Sequence, residues 1–292
     1  MPINASRSSS GRLSEWLEWG RTELLFLDER EAREECEQIL QFLLKVSRTE
    51  LYLLPPNPRI FPQFSQCVQA RKKRIPLAYL LGVSHFWEDS LEVSEDVLIP
   101  RPETEVLIES FLKDGNFSKD MPFRFLDLGT GSGNIAVTLA KLFPRSQGTA
   151  ADLSERALEV ADRNAQRLGV KNQLELIRSD GLDAFGDETF DAIFSNPPYV
   201  VSSDWEKLDP EVQREPRLAL DGGEDGLDFY RKIFQKLSCL KRGGSLWVEI
   251  GQGQAGSVCS LFEKAGFEKT RVFKDFNQMD RIVSGINFKW TN

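Results

Sequence analysis

Histidine is almost missing from this sequence: His85 is the single one in 292 residues. That scarcity argues against a histidine-built metal centre and against a hydrolytic triad that uses imidazole as base. No metal is therefore expected, and His85, next to Phe86 and Trp87, reads as structural. Cysteine is sparse too. Cys36, Cys67, Cys239 and Cys259 stand far apart, with neither a paired zinc spacing nor a redox C-x-x-C, so they read as buried thiols of a reducing compartment. No run approaches the roughly 20 apolar residues of a membrane span, and no apolar stretch follows the start as in a secretory leader. A cytoplasmic protein with no membrane partner is expected. Excess basic charge is also lacking. A formal net charge of -8 has the wrong sign for tracking nucleic acid by phosphate neutralisation, so no direct nucleic-acid partner is expected. The one basic run, Arg71-Lys72-Lys73-Arg74, reads as a solvated helix end or linker. Arg7, Arg12 and several serines within the first fourteen residues, with no acid, fit a frayed terminus more simply than an organelle transit segment.

What is present is enough apolar content, 40%, to fill a core. Leu13, Trp16, Leu17, Leu24 and Leu27, then Ile39, Leu40, Leu43 and Leu44, recur at helical spacing. Pro55, Pro56 and Pro58 interrupt the pattern before a further short helix through Phe64 and Val68. Residues 1–75 thus read as a small helical domain. Within 76–102, the aromatic and β-branched stretch from Phe86 to Val93 around Glu88-Asp89-Ser90 reads as a β-hairpin in a linker. From 103 to 292 short apolar runs alternate with helix-length segments. Strands are expected at 123–128, 147–151, 173–178, 190–195, 245–250, 268–273 and 281–288, and helices at 133–142, 154–168, 227–240 and 254–265. Such alternation predicts an α/β, Rossmann-like open parallel sheet with helices on both faces. The polar stretch 201–223 reads as a loop over the site.

Asp127-Leu128-Gly129-Thr130-Gly131-Ser132-Gly133 runs from a buried strand straight into a helix, placing glycines where backbone passes close to a ligand. A nucleotide-type cofactor is implied. Gly131 to Ala136 formally satisfies the dinucleotide fingerprint G-x-G-x-x-A, so a nicotinamide cofactor has to be weighed. Asp127 discriminates: a carboxylate at the strand tip repels a pyrophosphate and attracts the ammonium and sulfonium of S-adenosylmethionine. Asp152 ends the second strand, where it can accept from both ribose hydroxyls. Asp180 follows the third, within reach of an adenine amino group, with Gly181 giving the base room.

The fourth strand delivers Asn196-Pro197-Pro198-Tyr199 to the carboxyl edge of the sheet, where ligands bind. A planar amide nitrogen is a poor nucleophile because its lone pair is delocalised, so methylating it requires acceptors that hold the NH2 plane. Asn196 offers a side-chain carbonyl and Pro197 a backbone one. The prolines stiffen the tip and remove competing donors, and Tyr199 offers a flat face for stacking on the planar substrate group. Such acceptors stabilise positive charge developing on nitrogen.

Taken with Pro76-Leu77-Ala78-Tyr79-Leu80-Leu81-Gly82, Leu98-Ile99-Pro100-Arg101-Pro102-Glu103-Thr104-Glu105, Glu215-Pro216, Ala219-Leu220 and Asp225-Gly226-Leu227, these segments make nearly the whole chain resemble the release-factor glutamine methyltransferases, the PrmC/HemK family. The resemblance implies a class I S-adenosylmethionine-dependent methyltransferase domain that methylates the glutamine of a Gly-Gly-Gln motif at N5 in class 1 peptide chain release factors. It further implies that Gly129, Thr130, Gly131, Ser132, Gly133, Asp152 and the Gly181 position contact the cofactor, joined at the tip by Asn196. Asn196, Pro197, Pro198 and Tyr199 bind the glutamine, with Asn196, Pro197 and Tyr199 catalytic, and the helical domain helps grip the release factor. Many members carry an aromatic residue where Gly181 stands, so ring packing on adenine must come from elsewhere. Arg101-Pro102-Glu103 reads as a rigid turn entering a helix at the substrate side, although Glu103 and Glu105 serve equally as first-turn acids that complement the helix dipole. A monomer is expected. The competing functions are methylation of a ribosomal-protein glutamine, methylation of the exocyclic amine of adenine in nucleic acid, and a non-catalytic binder that keeps the fold.

Overall fold

Local caps set the N-terminal helices. In this computed structural model, which describes residues 12–287 apart from 56, 116 and 188, α1 spans Leu13–Glu23, α2 Glu29–Leu44, α3 Arg48–Leu53, α4 Phe61–Lys72 and α5 Leu77–Leu81. Asp28 starts α2 by accepting from the amides of Arg30 and Glu31, and Ser47 with Glu50 forms a capping box on α3, satisfying donors that a helix leaves open at its start. Trp16, Trp19, Phe61 and Phe64 pack ring against ring, with centroids 5.3 to 6.5 Å apart. The basic run departs from expectation. Arg71 is 2% exposed, forks onto Glu35 at 2.7 and 2.9 Å and reaches Glu211 at 2.9 Å. Arg74 also pairs with Glu211 and lies over the Phe26 ring. Guanidinium groups at 71 and 74 are therefore internal ties; only Lys72 and Lys73 are exposed. Residues 210–214 cluster with these helices in one compact unit with residues up to 82; residues 83–209 and 215 onward form the other. The stretch expected as a linker, 76–102, is thus divided, α5 going with the first unit and the hairpin with the second. The basic, serine-rich stretch before Arg12 lies outside the described residues.

In the second unit β1 (Val83–Phe86) and β2 (Asp89–Glu92) pair antiparallel, with Phe86 opposite Asp89. The turn is therefore Trp87-Glu88, one position earlier than the acidic cluster suggested, with Trp87 at φ +57°. Glu105 accepts from the Trp87 amide at 2.7 Å, which gives one of the two first-turn acids of α6 (Pro102–Asp114) a definite partner. There follow β3 (Arg124–Leu128), α7 (Asn134–Leu142), β4 (Gln147–Asp152), α8 (Glu155–Arg167), β5 (Leu174–Arg178), β6 (Phe190–Ser195), α9 (Asp228–Gln235), β7 (Leu240–Glu249), α10 (Ala255–Ala265), β8 (Phe267–Lys274) and β9 (Asp280–Asn287).

Among the described residues the sheet has seven strands in the order β5-β4-β3-β6-β7-β9-β8. Strands β3 to β7 run parallel, while β9 is antiparallel to both β7 and β8. This edge differs from an all-parallel expectation because β8 and β9 are joined by only five residues, enough for a hairpin and too few for a crossover. Side chains alternate across the sheet: Phe125, Phe194 and Trp247 enter a core beneath α6 and α7, and Leu126, Ile193, Leu246 and Val248 enter one beneath α9 and α10. From β3 the chain winds out through β4 to β5, then returns to β6 on the other side. That reversal opens a crevice at the carboxyl ends of β3 and β6.

Candidate active site

The glycine loop leaves β3 at that crevice. The amides of Gly129 and Thr130 donate to the Ala151 carbonyl at 2.8 and 2.9 Å, folding the loop back against β4. Gly131 sits at φ +54° with open space where a side chain would project, a left-handed conformation that glycine adopts at no steric cost. Gly133, at φ +82°, would put a Cβ 3.1 Å from that of Ala161, so its bareness lets α7 and α8 approach. Buried Asn164 secures the loop from behind, donating to the Ser132 and Glu92 carbonyls at 2.9 Å and accepting from the Glu92 amide at 2.7 Å.

A cavity of about 520 Å³ opens in front, within the usual range for small-molecule sites. Gly129, Gly131, Asp152, Asp180, Gly181, Asn196 and Pro198 line it. Asp152 accepts from the Gly131 and Ser154 amides, both at 2.9 Å; burial raises its carboxyl above the usual range against the pull of these amides. Asp180 is exposed and paired with Lys232, whose aliphatic chain lies across Gly181: a Cβ there would come 3.0 Å from Lys232 Cε. Leu153, Phe229 and Lys232 are the apolar and aliphatic surfaces at this end.

Asp127 is placed differently from expectation. It is wholly buried, behind the loop, and does not line the cavity; its Oδ2 accepts from Thr130 Oγ1 at 2.6 Å and from the Ala136 amide at 3.0 Å. Burial pushes its carboxyl up to about 7. Thr130 and Ser132 are buried as well, so the cavity wall is made by the loop's glycines and Asp152.

At the tip, Asn196 is half-buried and Pro197 buried. Asn196 Nδ2 donates to Thr104 Oγ1 at 3.0 Å, and Thr104 Oγ1 donates to Glu249 Oε2 at 2.7 Å. Tyr199 also turns from its expected role. Its ring packs on the core beneath α9 and α10, and its hydroxyl donates to Glu249 Oε1 at 3.2 Å, so the ring braces the tip and does not line the cavity. Arg101 pairs with buried Glu215, which also accepts from the Ile99 amide at 3.0 Å. Glu103 sits half-buried in the first turn of α6, and neither Arg101 nor Glu103 lines the cavity.

Residues 102–211 match the Methyltransferase small domain family and residues 15–82 the PrmC N-terminal domain. The chain is 41% identical to the release factor glutamine methyltransferase of Geobacter sulfurreducens over 92% of this chain and 94% of that one. The chain belongs to the release factor glutamine methyltransferase family. Its counterpart in Caulobacter vibrioides is 39% identical, covering 85% of this chain and 87% of that one. A crystal structure of a methyltransferase from Pyrococcus furiosus superposes with a TM-score of 0.52 at 21% identity, over 68% of this chain and 89% of that one, a likeness of fold.

The site of this family member fits S-adenosylmethionine. Asp152 is a carboxylate at the cavity wall, and Gly129 and Gly131 leave that wall bare, a fit for a cationic ligand, while Asp127 Oδ1 and Ser132 Oγ behind the loop are buried polar atoms without a partner among the described residues. Residues missed by the sequence reading are Thr104, Glu249, Phe229 and Lys232. Thr104 lay inside the segment Arg101 to Glu105, overshadowed by flanking acids. Glu249 carried a usable signal, an acid closing the apolar strand Leu246-Trp247-Val248, the same placement that marked Asp127 and Asp152. Among the described residues no helix is long and apolar enough to cross a membrane.

Proposed function

We propose that this chain transfers a methyl group from S-adenosylmethionine to the side-chain amide nitrogen of a glutamine, that of the Gly-Gly-Gln motif in class 1 peptide chain release factors. The observation that carries this reading is that Asn196 faces the same cavity as Gly129, Gly131 and Asp152. The glycine loop and Asp152 hold the cofactor's amino-acid and ribose parts, while Phe229 and the stem of Lys232 supply the surface against the base that Gly181 cannot. Bound there, the cofactor supplies an electrophilic methyl group on positively charged sulfur. Asn196 Oδ1 and the Pro197 carbonyl would accept from the two amide hydrogens and keep the substrate NH2 plane fixed, with its nitrogen turned toward the cavity that the glycine loop and Asp152 share. When the substrate nitrogen takes up that methyl group, these acceptors would stabilise the charge reaching nitrogen, and one N-H proton would leave to water. The helical unit contributes to gripping the release factor, in the cytoplasm, with the enzyme acting as a monomer.

Transfer of labelled methyl to a purified release factor tests this reading, with a variant lacking the Gly-Gly-Gln glutamine alongside. Label on the intact factor and none on the variant is expected. Equal labelling of both, or label only on ribosomal protein or nucleic acid, would reject the assigned substrate.

A further inference from the structure

The contacts behind Asn196 end in a carboxylate sealed from solvent. Thr104 is 0% and Glu249 1% exposed, so bulk water does not compete for the hydrogen bonds that run from Asn196 Nδ2 to Thr104 Oγ1 and from Thr104 Oγ1 to Glu249 Oε2. A threonine hydroxyl has one proton to give and two lone pairs with which to accept. An ionised Glu249 can only accept, so it claims that proton, and Thr104 is left to accept from Asn196. The amide end of Asn196 is then held toward Thr104. Its Oδ1, which accepts no hydrogen bond among the described residues, is left as the group for the cavity.

We propose that Thr104 and Glu249 are positioning residues that fix which end of the Asn196 amide faces the substrate, keeping its carbonyl oxygen, and not its NH2, on the reacting side. This deepens the glutamine-methylation reading and rests on it for its kinetic consequence. With Glu249 protonated the chain can run backwards: the carboxylic acid donates to Thr104, Thr104 donates to Asn196 Oδ1, and an NH2 turns toward a substrate that is itself an NH2. Two donors then face each other, and the substrate plane is lost.

The groups facing Glu249 are Thr104 and Glu103 from α6, Tyr199 from the tip and Arg281 from β9, while the Tyr230 hydroxyl from α9 donates to its backbone carbonyl at 2.7 Å. Burial raises the Glu249 carboxyl to about 7, Thr104, Arg281 and Tyr199 pull it down, and Glu103 pushes it up. Reversal of the relay therefore falls within an accessible pH range.

The test needs two readouts on the full-length enzyme. The first follows the Asn196 side-chain NH2 signal by nitrogen-15 NMR from pH 5.5 to 8.5, the signal being identified by its loss in Asn196→Asp. In the native enzyme it titrates with a midpoint near 7, the value for Glu249; it stops titrating in Glu249→Gln and in Thr104→Val, and titrates again in Thr104→Ser. The second is turnover on the release factor. Thr104→Val lowers kcat about 10- to 100-fold, the scale seen when partners that orient a ligating group are removed, with KM for S-adenosylmethionine changed less than about threefold. Thr104→Ser restores kcat. A Thr104→Val enzyme with native kcat, or an Asn196 signal that titrates unchanged in that variant, overturns the relay. Should the native enzyme leave the release-factor glutamine unmethylated, the substrate reading falls while the NMR titration still decides the relay.

Discussion

Replacing Asp152 with alanine should weaken S-adenosylmethionine about 100-fold and disturb the empty protein very little. The carboxylate has two duties in the structure. Toward the protein it accepts the Gly131 and Ser154 amides, both at 2.9 Å; toward the cavity it is the acid at the end of β4, the group we propose for a pair of ribose hydroxyls. A hydrogen bond to a charged group is worth about 1.5 to 3 kcal/mol. Losing two such bonds, with water partly replacing them in an open cavity, costs about 3 kcal/mol of cofactor binding, or about 100-fold in Kd. The freed amides lie at that cavity and can be solvated, so stability without cofactor should fall by only about 1 kcal/mol, a shift of roughly 2 to 4 °C in Tm for a domain of this size. Titration calorimetry with the cofactor and a thermal melt without it separate the two effects. Asparagine is the sharper variant, because its NH2 must oppose one of the two backbone donors, so Asp152→Asn should bind no better than Asp152→Ala. An Asp152→Asn enzyme that binds cofactor within about threefold of the native one would refute the assignment of Asp152 to the ribose and the view that its charge organises the loop.

Further outcomes follow from the same geometry. Asn196→Ala should lower turnover by roughly 100-fold or more, the scale for one preorganised polar group, with cofactor affinity by calorimetry unchanged; undiminished turnover would remove Asn196 from the chemistry. The buried acids Asp127 and Glu249, raised from 3.8 and 4.5 to about 7, hold protons in the folded state that the unfolded chain has already released. Between those ordinary values and pH 7 the folded state binds more protons, so stability falls as pH rises through that window and levels off above it. Urea unfolding across pH should therefore decline less steeply in Glu249→Gln than in the native enzyme. In the helical unit, Arg71→Met leaves Glu35 and Glu211 without their shared guanidinium. Breaking a buried pair costs about 3 to 5 kcal/mol, and with partly exposed partners about 2 to 3 is expected; a loss below about 0.5 kcal/mol in denaturant unfolding would mean the clamp is idle.

Elements that announce themselves by periodicity were legible in the sequence, as were glycines that announce themselves by spacing. β3 through β6 and their helices fall within a residue or two of where apolar runs and caps put them, and for β3 and β6 the reason is burial on both faces, which can hardly be written otherwise. The antiparallel edge was harder: β8 and β9 carry the same apolar content whichever way they pair, and only the five-residue connection decides. Charge was misread where burial reverses its meaning. A run of Arg71 to Arg74 looks solvated in one dimension, yet two of its members close on Glu35 and Glu211, the second lying 140 positions beyond Arg71, a partner no local pattern can name. The same holds at the tip. Asn196 was visible because two prolines follow it, but the direction of its amide is decided by Thr104 and Glu249, which stand 92 and 53 positions away and are brought together by α6 and β7. A sequence can display the group that meets the substrate; which way that group faces is settled by hydrogen bonds behind it, and those depend on where a single hydroxyl proton goes.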